Sequence, residues 1–502
     1  MPIAASRCAR FLLCACLALV ARPWPQSVVA GESLHHWFSV SIDVSGLPAD
    51  ADGVPVQCPI DFSALLERLK VPGAVDERSL RLERISPDGR AEELPFQFTA
   101  HPQPGARSRR RLANTVPEVS YLAEYAAGET PEVKVAGTLA WFAQADAKGA
   151  EHCRLRFGVP RAGRMIQTPF PPQNLRAFDD QGRGTPVRWF PRMQIRPSWP
   201  LEGAVHVTDR GALVTTYHIG PTSEPVPAGS AFQTRRPFLY PVNGPDGVGL
   251  TDFGKPHDPT GSHAHHHSIW IAHANVAGRD FWSQQGGVIV HGRLEDVEDG
   301  PVYCRWTQTA RWMFQGEAML SERRTITVFA ATTACRLMDF DLQFAPPGPN
   351  AVQLGKTTFG FLAVRVAQSM TPFDGGGEIL NSQGDRNEQA AHLRRARWLD
   401  QSGPISGDLG PQGPSVRWGG IAMLDHPENP NHPTGWHCRN DGWAGAAFTM
   451  DGPYTIGAGG ILRLRYRLVL HSHDARQADV ARRFDQYAAR PVFRIGEPSA
   501  AD

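Results

Sequence analysis

A histidine-dense stretch at residues 262–273, reading SHAHHHSIWIAH, is the strongest chemical feature of the chain. Five of the 19 histidines fall within it, between a Gly/Pro-rich lead-in at 241–261 and an aromatic exit, GRDFW, at 278–282. Imidazole can ligate a metal, move a proton or donate to a sugar hydroxyl near neutral pH. The stretch therefore predicts a functional site, and the alternative interpretation is a solvated loop tip.

The same histidines have a spacing that suits a metal ion. Residues 268–274 alternate in the manner of a strand. If the extended backbone reaches back that far, His263, His265 and His267 share one face and His266 points to the other. We predict His263 and His265 as ligands of one divalent metal ion, with His265 and His267 as the alternative pair. The third ligand would come from elsewhere, and copper, iron and zinc fit equally well.

A second group of polar and aromatic residues lies in and around two Pro-led turns, HPENPNHP, beside a predicted strand. It comprises Asp425, His426, Asn429, His432, Trp436, His437 and Arg439. His437 and Arg439 share strand parity and are predicted to face one cleft. Asp425 and Asn429 are predicted to contact a substrate, with turn capping as the alternative.

Tryptophans are concentrated in or beside these motifs: Trp270, Trp282, Trp398, Trp436 and Trp443. An indole face can stack on the C–H surface of a pyranose while polar groups bind its hydroxyls. We predict Trp270, Trp282 and Trp436 as substrate-binding residues and a carbohydrate as the partner. Burial in a core is the alternative for each tryptophan taken singly.

Length and charge limit the classes of function. The chain has 502 residues, with 51 Lys plus Arg against 50 Asp plus Glu and a formal net charge of +1. A balanced composition of this kind lacks the basic footprint of a nucleic-acid-binding protein. No nucleic-acid partner is therefore predicted.

The N-terminus has the layout of a secretory signal peptide. Arg7 and Arg10 precede an apolar run at 11–21, and Val-Val-Ala at 28–30 has the small residues of a cleavage site. Cleavage after Ala30 would give a secreted or periplasmic protein, and no other segment is long and apolar enough to span a bilayer. Five cysteines remain after cleavage, without a CxxC pair. Cys304 and Cys335 lie in separate predicted strands and could pair, but we predict buried thiols.

Short alternating segments separated by turn residues predict a mainly β protein. The predicted organisation is, in chain order, a signal peptide (1–30), a small β-sandwich (31–160), a Pro-rich linker or arm (161–203), a large antiparallel β-sandwich (204–475), and a C-terminal helix and tail (476–502). The first sandwich contains one predicted helix, at 62–69, capped near Asp61.

Six ordered motifs carry a resemblance to a known family; they occupy 237–253, 263–282, 356–367, 377–385, 395–403 and 424–443. Over about residues 232–475 the chain resembles the PmoA-like family, catalogued as methane oxygenase. The central family pattern is Asp-His-Pro-His-His-Arg-Gly, which His263, His265 and His266 match. The Asp and Arg of that pattern, an orienting carboxylate and an anion-binding group, are replaced by Ser262 and His267. The name of that family implies metal-dependent oxidase or oxygenase chemistry.

The preferred hypothesis is a secreted carbohydrate-active enzyme of the lyase or hydrolase type, on a fold similar to the mutarotase-like super-sandwich. His266 or His437 would act as general base or acid. Arg365 or Arg439 would hold a carboxylate or stabilise a developing oxyanion. Hydrolysis would require paired carboxylates, for which the motifs offer Asp252, Asp280, Asp425 and Asp441.

Two hypotheses from other classes stay open. A non-catalytic glycan-binding protein would use the same tryptophans, with the histidines as hydrogen-bond donors. A metal-dependent oxidase or oxygenase would use His263 and His265, with one divalent metal ion as cofactor. Replacement of His266 by Ala separates the first two classes, because only an enzyme would lose turnover while keeping the sugar bound.

Overall fold

The structure is a computed structural model that describes residues 35–101, 135–160, 192–197, 203–224, 234–254, 263–332, 335–405, 409–410, 413–414 and 416–501. Strands account for 54% and helices for 7% of the structure, and the strands pair in antiparallel sheets. The mainly β fold predicted from the alternating segments is confirmed.

Two sheets around one core form the N-terminal part; their strands are β1 (His35–Ser45), β2 (Val54–Asp61), β3 (Asp76–Ile85), β4 (Ala91–Leu94), β5 (Phe96–Ala100), β6 (Ala136–Ala143) and β7 (Glu151–Pro160). One sheet has the order β2-β6-β5, and the other contains β1-β7-β3-β4. Apolar side chains such as Val40 and Val56 share the core with helix α1 (Phe62–Leu69). The predicted cap is confirmed, because the Asp61 carboxylate accepts the amide of Ala64 at 3.0 Å.

The strands of the next part are β8 (Met193–Pro197), β9 (Ala204–Asp209), β10 (Ala212–His218), β11 (Phe238–Val242), β12 (Ile269–His273), β13 (Val288–Glu298), β14 (Tyr303–Phe314), β15 (Glu317–Phe329), β16 (Cys335–Ala345), β17 (Val352–Leu354) and β18 (Gly360–Arg365). They are followed by β19 (Glu378–Asn381), β20 (Arg394–Arg395), β21 (Trp398–Ile405), β22 (Leu409–Gly410), β23 (Gly413–Pro414), β24 (Arg417–Asp425), β25 (Gly435–Cys438), β26 (Trp443–Ala447), β27 (Tyr454–Ile456), β28 (Leu462–Ser472), β29 (Val492–Ile495) and β30 (Ser499–Ala500). The helices here are a 3₁₀ turn (Gln368–Met370), α2 (Asn387–Ala391) and α3 (Val480–Ala488).

Two large sheets pack face to face. One has nine strands in the order β20-β25-β26-β18-β12-β11-β10-β9-β8, and the other has eight in the order β13-β14-β15-β16-β28-β24-β21-β19. Ile271 and Phe361 of the nine-stranded sheet share a core with Trp312 and Phe340 of the eight-stranded sheet. The arrangement is an antiparallel β-sandwich.

The outer face of the nine-stranded sheet, which points away from the other sheet, carries an aromatic patch. Along β12, Ile269 and Ile271 point into the core, whereas Trp270 points to the outer face. The buried members of the aromatic patch are Phe238, Trp270, Ala272, Trp282, Ala363 and Trp443. The sheet therefore buries side chains on both of its faces.

The C-terminal residues join both sandwiches. Val480 and Phe484 of α3 pack with Leu424 and Val469 on the outer face of the eight-stranded sheet. Beyond α3 the chain reaches the N-terminal sheet, where β29 and β30 both pair with β1. The segment predicted as a tail thus supplies two strands.

The Pro-rich segment predicted as a linker contains a strand. Residues 161–191 and 198–202 lie outside the described part of the chain. Between them, β8 forms an edge of the nine-stranded sheet by pairing with β9. Met193 and Ile195 point into the core, which stabilises this strand, but two alternating apolar residues are a weak signal among many prolines.

Three further predictions concern the export signal, the membrane and the cysteines. The signal peptide predicted at 1–30 lies outside the described residues. Within the described ranges, no helix combines the length and hydrophobicity needed to cross a membrane. The predicted buried thiols are confirmed for Cys58, Cys153, Cys304, Cys335 and Cys438.

Candidate functional site

His266 reaches the aromatic patch because the backbone turns immediately before β12. The His266 amide donates to the His263 carbonyl at 2.9 Å, and Ser268 has a left-handed φ of 58°. The strand therefore begins at Ile269, and the predicted extension back to His263 is wrong. The predicted distribution of the histidines over the two faces of a strand is therefore wrong as well. His266 lies against Trp270.

Two tryptophans and an arginine enclose His266, which is 2% exposed. Its ring centroid lies 5.3 Å from that of Trp270 and 5.2 Å from that of Trp443. Arg365 Nη1 donates to His266 Nδ1 at 3.0 Å. Because a guanidinium has only donors, Nδ1 holds the lone pair and the ring proton is assigned to Nε2. Burial, reinforced by His265 and Arg365, holds the pKa of His266 well below its usual value, so the ring is neutral.

Arg365 connects His266 to a partly exposed rim formed by His263, His265 and Asp441. Its Nη2 donates to the Asp441 carbonyl at 2.8 Å and lies 3.9 Å from Asp441 Oδ2. His263 Nε2 lies 3.6 Å from the same carboxylate oxygen. The side chains of His263 and Asp441 are 29% and 21% exposed, so the site meets solvent at this rim.

The predicted metal pair lacks a third ligand within the described residues. The ring centroids of His263 and His265 are 6.5 Å apart. No group of three His, Cys, Asp or Glu side chains that could hold a metal ion occurs in the part of the chain that the structure describes. A catalytic zinc site usually has three protein ligands, so this pair alone does not make such a site.

His437, which lies on β25, contacts Trp443. The two ring centroids are 4.2 Å apart, and the His437 ring lies 4.7 Å from that of Phe359. His437 Nδ1 pairs with the Thr358 hydroxyl at 3.2 Å. Burial lowers the pKa of His437 to about 3, and His392 adds to the effect. Two neutral histidines, one in the turn before β12 and one on β25, therefore contact one tryptophan.

Trp282 completes the aromatic patch. Its ring centroid lies 5.4 Å from that of Trp270 and 5.5 Å from that of Trp443. The Asp280 carboxylate accepts the Trp282 amide at 2.6 Å, which fixes the turn of the GRDFW motif. The structure thus brings together His266, Arg365, His437, Trp270 and Trp282, with His263 and His265 at the rim.

Asp425 and Asn429 lie in a separate hydrogen-bond network. Asp425 accepts from Asn429 Nδ2 at 2.8 Å, from His432 Nδ1 at 2.7 Å and from the Thr434 amide at 2.9 Å. Asn429 also binds the backbone of Arg465 in β28, accepting its amide at 2.7 Å and donating to its carbonyl at 2.6 Å. These contacts correspond to the turn-capping alternative.

Trp436 does not join the aromatic patch, and Arg439 pairs with an acidic side chain. Neighbouring side chains alternate along β25, so Trp436 lies in the core between the sheets, where its Nε1 donates to the Ala396 carbonyl at 2.8 Å. Arg439 pairs with Glu388 of α2 at 2.9 Å, and its side chain is 49% exposed. Its positive charge adds to the lowering of the His437 pKa, and the single cleft for His437 and Arg439 stays a prediction.

Sequence reasoning does not identify two residues of this site, Phe359 and Arg236. Phe359 lies immediately before β18 and packs against the aromatic patch. Arg236 is fully buried, and its Nη2 donates to the Trp282 carbonyl at 2.6 Å. The available signal for Arg236 is that it lies two residues before Phe238 in the sequence.

A protein-family model matches residues 204–485, and its description reads "Family of unknown function (DUF6807)". The match covers more than half of the chain, so the chain belongs to this family. The resemblance to the PmoA-like family is therefore wrong, since the matching family is DUF6807 and nothing indicates a PmoA-like one. The oxygenase hypothesis loses the resemblance that implied it. No curated protein matches the chain.

Proposed function

We propose that this member of the family DUF6807 is an exported carbohydrate-active enzyme of the lyase type. The observation that carries the proposal is the pair of buried neutral histidines, His266 and His437, which both contact Trp443. Buried titratable groups next to aromatic surfaces are typical of sites that bind a ligand and transfer a proton. The signal peptide predicted at 1–30 supports export.

The aromatic rings supply a surface for a sugar. The rings of Phe359 and Trp443 are nearly parallel, with an interplanar angle of 15° and centroids 5.8 Å apart. Phe359 is half-buried and so offers apolar surface to the C–H face of a pyranose. His263 and Asp441 at the rim can bind hydroxyl groups.

The two histidines have different roles in this proposal. His266 presents Nε2–H, because Nδ1 is held by Arg365, and therefore donates a hydrogen bond to a developing oxyanion. The Thr358 hydroxyl can accept a hydrogen bond from His437 Nδ1–H, and in this proposal it does so, which leaves the lone pair of His437 Nε2 to accept a proton. The guanidinium of Arg365 adds positive charge beside the oxyanion.

A β-elimination uses both roles. His437 Nε2 removes the proton from the carbon next to a uronate carboxylate, and the carboxylate becomes an enediolate that the His266 donor stabilises. The electron pair then forms a carbon–carbon double bond as the glycosidic C–O bond at the neighbouring position breaks. The proton on His437 passes to the leaving oxygen, so the base is regenerated.

Hydrolysis has less support because its paired carboxylates are engaged elsewhere. Asp425 holds the turn after β24, and Asp280 caps the Trp282 amide. Asp252 accepts the amide of Gln368 at 2.7 Å. Asp441 is the acidic side chain that faces Arg365 and His263.

A non-catalytic glycan-binding protein is the second candidate. The low pKa of His437, about 3, makes its neutral ring a weak base in the absence of a ligand. An anionic substrate beside the ring would raise that pKa and strengthen the base. The two candidates differ in whether bound sugar is converted.

The test is turnover of acidic and neutral polysaccharides by the mature protein. Elimination is followed by the ultraviolet absorbance of the unsaturated uronate, and hydrolysis by new reducing ends without that absorbance. We expect elimination, and we expect His437→Gln to lower kcat by about 100-fold or more while sugar affinity is retained.

The matched control is His152→Gln, which replaces an exposed histidine of the N-terminal sheet and should leave turnover unchanged. Binding of sugar by the wild-type protein without any product would favour the glycan-binding candidate. Reducing ends without unsaturated product would contradict the lyase assignment.

A further inference from the structure

Arg236 is a buried cation to which no carboxylate of the described residues is bound. It lies in the bend before β11, two residues before Phe238 of the aromatic patch. Its exposure is 0%, and its Nη2 donates to the carbonyls of Trp282 at 2.6 Å and Ser283 at 3.3 Å. Burial lowers the pKa of Arg236 to about 9, and the nearby Asp280 offsets only part of that effect. The cation is thus held by neutral carbonyl groups.

Several enclosed N–H groups in this region have no acceptor among the residues that the structure describes. Arg236 Nε and Nη1 are shielded from solvent and make no hydrogen bond there, and the same is true of the indole Nε1 atoms of Trp270 and Trp282. His267 Nδ1 is an enclosed acceptor without a donor. Donors therefore outnumber acceptors around a buried positive charge, which is the complement of an anion rich in oxygen acceptors.

A buried charge of this kind is unfavourable unless something pairs with it. Removal of an arginine from water costs several kcal/mol, and neutral carbonyls return only part of that free energy. The neighbouring histidines, His266 and His267, have their pKa lowered by burial, so they supply no negative charge. Asp280 compensates part of the charge, and a bound anionic ligand would compensate the rest.

We infer that Arg236 binds an anionic oxygen-bearing group of the substrate, a carboxylate or a sulfate, with the indole N–H groups of Trp270 and Trp282 as further donors. The inference rests on the proposed function, because it assigns the substrate class of the same site. Arg365 is engaged with His266 and Asp441, so Arg236 would be the main anion-binding residue. A uronate bound here would have its carboxylate fixed beside the proposed proton acceptor.

The test compares Arg236→Met with Arg235→Met in the full mature chain. Arg235 is a suitable control because it also donates to backbone carbonyls, of Gly286 at 2.6 Å and Gly287 at 3.3 Å, but is only partly buried. Calorimetry would use three probes: a galacturonate oligosaccharide, the matching neutral galactose oligosaccharide and inorganic sulfate. Unfolding in urea without a probe would be measured in parallel.

We expect Arg236→Met to bind the galacturonate probe at least about 30-fold more weakly than the wild type, because a buried charged partner is lost. Arg235→Met should bind it as the wild type does. Without a probe, Arg236→Met should be as stable as the wild type or more stable, because an uncompensated charge is removed. If Arg236→Met does not fold, Arg236→Lys tests the same point and should bind about 10-fold more weakly, because lysine cannot bind a carboxylate bidentately.

The outcomes separate this inference from the proposed function. Loss of galacturonate binding supports a carboxylate as the anion, and loss of sulfate binding alone supports a sulfated sugar. Unchanged affinity of Arg236→Met with unchanged turnover would overturn the inference and leave the lyase proposal standing. Equal wild-type affinity for the neutral and acidic oligosaccharides would also overturn it. If the wild type binds none of the probes, both proposals fail.

Discussion

At the scale of single residues, the central observation is that the same residue type has different chemistry in different surroundings. His266 is neutral and accepts a hydrogen bond from Arg365, which assigns its proton to Nε2. His437 is also neutral, but its partner is the hydroxyl of Thr358. Function at this site therefore depends on the hydrogen-bond partner of each ring as much as on the ring itself.

Replacement of Arg365 tests how the His266 proton is positioned. In Arg365→Met, Nδ1 loses its donor, so we expect a mixture of the two neutral tautomers in place of the Nε2–H form. The ¹⁵N chemical shifts of the His266 ring report the tautomer directly. Arg439→Met, which removes the exposed pair with Glu388, is the control and should leave those shifts unchanged. An unaltered His266 tautomer in Arg365→Met would contradict the assignment.

Asp425 is expected to act on stability alone. Asp425→Ala leaves the side chains of Asn429 and His432 and the Thr434 amide without their acceptor, so we expect a loss of about 3 kcal/mol in the free energy of unfolding. Sugar affinity of the folded variant should stay at the wild-type value. Urea unfolding and calorimetry measure the two quantities.

The matched control for that experiment is Asp451→Ala, which removes an exposed partner of Arg395 and should change the unfolding free energy by less than about 0.5 kcal/mol. A large loss of sugar affinity in Asp425→Ala, with little loss of stability, would restore the substrate-binding role predicted for this residue from sequence.

The residue types that form the site were more predictable from sequence than the directions in which their side chains point. The histidine stretch predicts where the site lies in the sequence. The left-handed conformation of Ser268 interrupts the strand alternation, so the expected direction of the His266 side chain is wrong. Trp436 and His437 are adjacent, and alternation puts one in the core and the other against Trp443. Arg236 has no local signal beyond its spacing to Phe238, because the burial of an arginine depends on contacts distant in the sequence.

At the scale of elements, the order of strands assembles the site. β18 lies between β12 and β26, so residues from three distant parts of the chain share one outer face. Alternation along each strand is visible in the sequence and predicts which residues share a face. The neighbour of each strand is not visible, because pairing between distant segments leaves no local pattern.

The eight-stranded sheet contains a glycine whose lack of a side chain leaves room for a buried hydrogen bond between His471 and Asp400. A Cβ atom on Gly420 of β24 would lie 2.2 Å from His471 Cε1. The His471 ring crosses this position to reach Asp400 on β21, with Nε2 2.7 Å from Oδ2 and both side chains fully buried. β24 is the strand between their two strands.

Gly420→Ala should therefore destabilise the protein by about 2 kcal/mol, because His471 must move and weaken its bond to Asp400. Gly457→Ala is the matched control, because a Cβ atom there would meet no atom within 4 Å. Thermal and urea unfolding measure both variants. Equal stability of the two variants would show that His471 does not need the space above Gly420.

At the scale of the whole molecule, the C-terminal strands connect the two sandwiches. The family match ends at residue 485, before β29 and β30 pair with β1 of the N-terminal sheet. The sequence pattern predicts a helix in this region and the helix is present, whereas the strand pairing is long-range and has no sequence signature. The C-terminal tail therefore ties the two sandwiches together.

Buried neutral histidines predict how stability depends on pH. Burial lowers the pKa of His273 to about 3, whereas the same histidine in the unfolded chain takes up a proton near pH 6.5. Between these values the unfolded state binds more protons, so the free energy of unfolding falls as the pH is lowered through this window. We expect His273→Gln to reduce this slope by up to about 1.4 kcal/mol per pH unit.

Urea unfolding at a series of pH values between roughly 4 and 6 measures the slope for the wild type and the variant. His152→Gln is the control, because that side chain is 63% exposed. A slope in His273→Gln equal to that of the wild type would mean that His273 takes up its proton in the folded protein.

A crystal structure of His437→Gln with a galacturonate oligosaccharide tests the proposed site most directly, since this variant should bind the sugar without converting it. We predict a sugar ring against Phe359 and Trp443, with its carboxylate at Arg236. Away from the aromatic patch, a cavity of about 260 Å³ in the N-terminal part is lined by Ser39, Arg154, Arg156 and Ala501. Sugar bound in that cavity, with none at the aromatic patch, would contradict the proposed site.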